Sequence, residues 1–286
     1  MSKVMVLGAG GFIGRMITAH LRAQGHEVIE GRSAEFDYTR MLTPPDWLPH
    51  LSGLDAVVNA VGVLRDSSRR PMKAVHQHAP IALFEACAQA GVRFVVQVSA
   101  LGIAGSETLY ARSKRAADEQ LLAMHAQGRL DAAVLRPSIV FGRGGASSQL
   151  FMTLARLPLL VMPDAALRAQ VQPVAVQDLA EAVARRLTCA APAVLSVVGP
   201  HALTLTQFIA TLREQLGHRP ARVLALPDLP SRWSARLGDH VPGQPWCTET
   251  LQLLQQDNAD DPATLAALLG RDCVAAENLV KAAWAR

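Results

Sequence analysis

Tyr110 and Lys114 stand four residues apart in Tyr-Ala-Arg-Ser-Lys, a spacing that on a helix puts phenol and ammonium on one face and within one small site. Such a pair suits proton transfer, because the cation favours phenolate and draws the tyrosine down from its reference near 10. The chain has only 2 tyrosines, and 4 lysines against 24 arginines, so the pairing is not a by-product of composition. A second group is Gly8-Ala-Gly-Gly-Phe-Ile-Gly14, with glycines at three-residue steps between an apolar run and a helix-period segment. There Gly8 and Gly11 allow a tight turn and close approach of a pyrophosphate, Phe12 and Ile13 open the helix, and Gly14 lets it pack closely. A third group follows the run His26-Glu-Val-Ile-Glu-Gly: Arg32 falls at the expected strand tip, where a guanidinium pairs with a phosphate while Glu30 points aside, and Ser33 adds a hydroxyl.

These residues need elements to hold them. Apolar runs at residues 4–7, 28–30, 56–59, 94–99 and 132–135 alternate with helix-period stretches at 12–23, 71–90 and 108–127. Strands alternating with helices imply βαβ units, and the continuous apolar runs fit a parallel sheet covered on both faces. The expected fold is α/β, a doubly wound parallel sheet of the Rossmann type over residues 1–198. An excursion at about 142–170 interrupts it, after which strands at 171–176 and 193–198 resume the sheet around a helix at 177–187. Residues 199–286, with Pro220, Pro227, Pro230, Pro242 and Pro245 between short helices, form a smaller, mostly helical C-terminal lobe for a substrate or partner.

At 286 residues and 50% hydrophobic, the chain can bury a full core, which excludes disordered scaffolds and disulfide-stapled miniproteins. The charge of +4 comes with no block of like charges and with 5% aromatic residues, so no nucleic-acid platform is expected. Cys87, Cys189, Cys247 and Cys273 form no C-x-x-C pair, which fits reduced thiols in the cytoplasm and no metal site. His76 and His78 would point about 200° apart on a helix, against a shared ion. Cys87 reads as core, Asp178 as a helix N-cap, and Arg213, Arg219 and Arg222 as a solvated face. No apolar run is long enough to span a membrane, so a cytoplasmic protein is expected, with peripheral contact with the inner membrane left open.

Taken together, Gly8-x-x-Gly11-x-x-Gly14, Asn59-Ala-Val-Gly62, Tyr110-x-x-x-Lys114 and Arg136-Pro137-Ser-Ile-Val-Phe-Gly142 resemble the extended and atypical short-chain dehydrogenase/reductases. More narrowly, residues 57–65, 98–102 and 172–180 look like bacterial relatives of the NAD(P)H-binding accessory subunit of respiratory complex I, with similarity running to about Asn258. The stretches Gly31-Arg-Ser33 and Asp37-Tyr-Thr39 are also similar to NADP-dependent reductases that make deoxysugar nucleotides.

The resemblance implies a dinucleotide, NADP(H) preferred and NAD(H) the alternative, with adenine near Asp37 and the nicotinamide side near Ala60, Val61, Gly62 and Pro137. Tyr110 would be the proton donor, and Lys114 would also hold the nicotinamide ribose. Family enzymes carry a catalytic Ser or Thr where this chain has Ala100 and Leu101; Ser99 matches the structural serine and is the hydroxyl left for a catalytic role. His76 takes the place of an Asn in a water relay. The expected function is an oxidoreductase passing hydride to a carbonyl or quinone-like acceptor. Alternatives are a low-turnover nucleotide-binding accessory protein and a nucleotide-sugar epimerase or dehydratase. The resemblance names neither the small-molecule substrate nor a protein partner.

Overall fold

The computed structural model describes residues 1–241, 246–254 and 256–284. Its centre is a six-stranded sheet made of β1 (Lys3–Leu7), β2 (Glu27–Gly31), β3 (Ala56–Asn59), β4 (Phe94–Val98), β5 (Asp131–Pro137) and β10 (Val194–Val197). Their order is β10-β5-β4-β3-β1-β2, and every neighbouring pair is parallel. The chain leaves β1 towards β2 and then returns to place β3 on the other side of β1. That reversal opens a crevice at the carboxyl ends of β1 and β3, where open α/β sheets bind ligands.

The period of two divides the strands cleanly between two layers. Val4, Val6, Ala56, Val58, Val96 and Val98 face one core with α1 (Phe12–Ala23), α7 (Val176–Arg186) and α11 (Ala263–Leu269). Met5, Leu7, Val57, Val95 and Val134 face the other, against α3 (Ala79–Ala90) and α4 (Leu109–Ala126). Helix α1 buries Gly14, Ile17, Thr18 and Leu21, the i, i+3, i+4, i+7 stripe of a surface helix, and turns off through Gly25 at φ 82°. The α4 helix begins at Thr108, whose hydroxyl accepts from the Ala111 N–H at 3.2 Å.

Past β5 the structure departs from the expected rhythm. The run at 171–176 does not rejoin the main sheet, because Pro173 splits it into β8 (Gln170–Val171) and β9 (Val174–Ala175). These pair instead with β11 (Leu203–Thr204) and β6 (Val140–Phe141). The α7 helix then runs unbroken from Val176, so Asp178 lies in its first turn and not at the cap; its carboxylate accepts from Arg271 and from the Val274 N–H.

A third core joins the excursion to the chain beyond 199. It packs α5 (Ala146–Arg156), β7 (Leu159–Pro163) and α6 (Asp164–Arg168) against α8 (Leu205–Gln215) and α12 (Leu279–Trp284). The small lobe is therefore built from two chain segments, while α11 returns to the main sheet. Arg213 lies inside this lobe, buried, donating to the carbonyls of Ala155, Leu157 and Arg219; it is a strut and not a solvated charge. β12 (Arg222–Leu226) extends β7. Two further helices, α9 (Asp228–Asp239) and α10 (Thr248–Leu253), and a short α2 (Pro44–Trp47) complete the described elements used below. Pro242 and Pro245 lie outside the described residues. No helix among the described residues is long and apolar enough to cross a membrane.

Candidate functional site

The turn after β1 is shaped for close approach. Gly8 sits at φ 81°, and a Cβ there would meet the Ala60 carbonyl oxygen at 3.0 Å. A Cβ on Gly14 would lie 2.1 Å from the Gly8 oxygen, so the first turn of α1 can rest on the loop only if that residue is glycine. Gly10 faces open space, and Gly11 is the N-cap of α1 with no side chain to satisfy the helix donors. Free N–H groups at a helix start, with a cradle that side chains would fill, fit a dinucleotide pyrophosphate. Phe12 packs its ring against the loop at Gly142 and Gly145, and Ile13 rests on the core.

A groove of about 730 Å³ runs from this turn across the crevice. Gly8, Gly11, Arg32, Ser33, Asp37, Ala60, Val61 and Gly62 all line it, so the expected cofactor residues at its two ends are brought together. Tyr38, Arg69 and Arg70 line it as well, unflagged by sequence. Glu30 does not point aside. It accepts from Arg32 at 2.5 Å and from Arg22 at 2.7 Å, and the two guanidiniums hold its carboxyl below the usual carboxylate range. Both are longer side chains on the same exposed edge, so the acid neutralises them instead of turning away. Asp37 is tied back by Thr39, whose backbone N–H and hydroxyl it accepts at 2.9 and 2.7 Å. Beneath the groove, Tyr38 donates to Asn59 at 2.7 Å and Asn59 donates to Gln97 at 2.7 Å. The Asn59 oxygen also accepts from the Val61 N–H, which fixes the loop after β3.

Tyr110 and Lys114 are not among the residues lining this groove but lie next to its Gly62 end, the ammonium 5.7 Å from the centre of the phenol ring. Lys114 is buried, donates to the Val98 carbonyl at 3.3 Å, and lies 3.7 Å from where a Cβ on Gly62 would be. Burial draws its pKa down to about 8, against the raising effect of Asp118. The tyrosine departs from expectation: burial pushes the phenol well up, and Asp118 and Glu249 push it further. The ammonium does not overcome the desolvation that both groups share, so Tyr110 is held as a protonated phenol.

Three neighbours complete the site, and two of them, Glu249 and Asp118, escaped the sequence reading. Glu249, from α10, accepts the Tyr110 N–H at 2.8 Å and places a carboxylate at the start of α4, where the helix dipole favours it. His76 lies in a π-helical turn, Ala74–His78, and accepts the Val63 N–H at 2.9 Å through Nε2. Its Nδ1 then carries the proton to Ser113, 3.2 Å away, which donates to the Tyr110 carbonyl at 3.0 Å. Burial and Lys114 lower the His76 pKa to about 2, so the ring is neutral. His78 is exposed, and no metal-binding cluster occurs among the described residues.

The third neighbour, Asp118, is fully buried one turn beyond Lys114 and accepts from Ser99 at 2.7 Å and from Arg136 at 3.2 Å. Burial raises its pKa against those bonds. Ser99 is thereby engaged under the helix, and its hydroxyl is not the spare donor expected of it. Pro137 closes β5, buried, and accepts the Leu101 N–H at 2.8 Å, so it shapes the site through the backbone.

The chain is 27% identical to the ceramide reductase of Caulobacter vibrioides over 79% of its own length and 74% of that protein's. It is 24% identical to the rat (Rattus norvegicus) mitochondrial NADH dehydrogenase [ubiquinone] 1 alpha subcomplex subunit 9 over 85% and 69%. The fold matches RMD from Pseudomonas aeruginosa, solved with NADPH, at a TM-score of 0.69 and 17% identity, covering 99% and 96% of the two chains. Other matched structures hold NAD. Residues 4–197, which carry the glycine turn, the Asn59 loop and the Tyr110/Lys114 pair, match the family model for these proteins, and the chain belongs to the NAD dependent epimerase/dehydratase family.

Proposed function

We propose that the protein is an NADP(H)-dependent oxidoreductase that reduces a carbonyl or quinone-like acceptor. The observation that carries this reading is the Tyr110 phenol beside the buried Lys114 ammonium, which itself lies against the Gly62 loop. A protonated phenol can donate to the oxygen of a carbonyl as it is reduced, which is the role a reductase requires of it. The dinucleotide would supply the hydride. Gly8, Gly11 and the first turn of α1 would hold the pyrophosphate, and Arg32 with Ser33 would take the 2′-phosphate. Lys114 would bind the nicotinamide ribose, and Tyr110 would deliver its proton to the acceptor oxygen. His76 holds the Val63 N–H and so keeps the Gly62 loop in place. Arg32 and Ser33 on the groove support the cofactor choice, since matched structures hold NAD as well as NADPH, and the ceramide reductase supports the reaction class.

A second reading has its own observation. Ala100 and Leu101 offer no hydroxyl and Ser99 is committed to Asp118, so substrate polarisation falls to Tyr110 and backbone donors alone. Loss of one such donor typically costs about 100-fold. An accessory protein that binds the nucleotide with little turnover would tolerate this. A sugar epimerase or dehydratase, which must also abstract a proton, is disfavoured by the same gap. Purified protein with NADPH and a panel of quinones, aldehydes and nucleotide sugars separates them. Slow oxidation of NADPH by a quinone or aldehyde supports the reductase; tight NADPH binding with no acceptor consumed supports the accessory role.

A further inference from the structure

One surface is not used by the cleft. Helix α9 packs through Ser231, Ala235 and Gly238, all on one face; a Cβ on Gly238 would lie 2.1 Å from the Trp246 carbonyl oxygen. On the opposite face Leu229, Trp233 and Leu237 follow at i, i+4 and i+8, exposed by 71%, 66% and 68%. Single exposed apolar residues are ordinary, but three in one helical stripe are not. Arg232 and Arg236 run along one side of the stripe, both exposed, with no acidic partner among the described residues.

We propose that α9 docks this protein on an anionic lipid surface, with Leu229, Trp233 and Leu237 entering the headgroup boundary and Arg232 and Arg236 pairing with lipid phosphates. The charge pattern selects this occupant. A second copy would bring four unpaired guanidiniums to one interface, whereas anionic headgroups neutralise them. Leucine and tryptophan on one face with arginine beside them is the composition of helices that lie in the plane of a bilayer surface. Arg65 donates to the carbonyls of Gly238, Asp239 and Val241, which ties the end of α9 to the loop that carries Gly62. Its neighbour Leu64 is 67% exposed. A docked α9 therefore brings the mouth of the crevice to the membrane. The proposal does not depend on turnover.

Flotation of the full chain with phosphatidylcholine vesicles, alone or with an equal part of phosphatidylglycerol, tests it. The protein should float with the anionic vesicles and stay behind with the neutral ones. Arg232→Gln with Arg236→Gln should weaken binding about 25-fold, roughly fivefold for each charge near the surface. Leu229→Ser, Trp233→Ser and Leu237→Ser together should abolish flotation while thermal unfolding and NADPH binding stay as in the wild type. Should that triple variant fail to fold, brominated lipids keep the test: they should quench wild-type fluorescence and lose that effect in Trp233→Phe. Absence of flotation with anionic vesicles, or quenching unchanged in Trp233→Phe, would overturn the proposal. So would a wild-type dimer that the triple variant converts to monomer, because a second copy would then cover the face.

Discussion

Lys114 shows how a single buried charge sets conditions for both stability and chemistry. Its pKa falls from an ordinary 10.5 to about 8 on folding. Between those values the unfolded chain still binds the proton and the folded chain does not, so this group adds stability as pH rises through the window. Urea unfolding of wild type and Lys114→Met across pH 7 to 11 should therefore show the difference moving in the wild type's favour above about pH 8. It should level off near 10.5 after a change of about 3 kcal/mol. Parallel curves would mean the ammonium is as well solvated folded as unfolded. Arg32 is a different case, because its guanidinium is 67% exposed and shares Glu30 with Arg22. A 2′-phosphate would replace that carboxylate as its partner, so Arg32→Ala should weaken NADPH at least tenfold and leave NADH nearly unchanged, as read by calorimetric titration. Equal losses for both dinucleotides would remove Arg32 from the phosphate site.

At the scale of elements, the turn between β1 and α1 makes the sharpest structural prediction. Gly14→Ala drives a methyl into the Gly8 oxygen, with backbone on both sides of the clash, and should cost about 1–3 kcal/mol together with dinucleotide binding. Gly10→Ala meets open space and should leave the melting temperature within a degree or two of the wild type, which makes it the control for the loop. What was legible in the sequence follows the same division between local and distant. The glycine steps and the Tyr110/Lys114 spacing could be read because each belongs to one turn or one helix. Strand 171–176 could not, because an apolar run records burial and not the identity of its partner strand, and Pro173 broke the run. Glu249 lies 139 residues from Tyr110, so no periodicity could join them. Spacing puts Lys114 beside Tyr110 but carries no information on how deeply the ammonium is buried or how far the half-buried phenol is desolvated, so the tyrosine shift runs opposite to the expected direction.

For the molecule as a whole, the two lobes divide the work at the crevice. The sheet supplies the glycine turn, the Asn59 loop and the α4 helix, while the C-terminal chain supplies Glu249 to the start of α4 and α9 to the end of the Gly62 loop. The sheet lobe carries the motifs that the family model matches over residues 4–197, which is why fold and family were legible there. The account rests on Tyr110 as the proton donor. Its most direct test is the rate of NADPH oxidation by an acceptor that the wild type reduces, measured for wild type and Tyr110→Phe at saturating cofactor. Tyr110→Phe removes one hydroxyl and should keep NADPH affinity within about twofold while the rate falls by about 100-fold or more. A Tyr110→Phe protein that turns over at the wild-type rate would contradict the account.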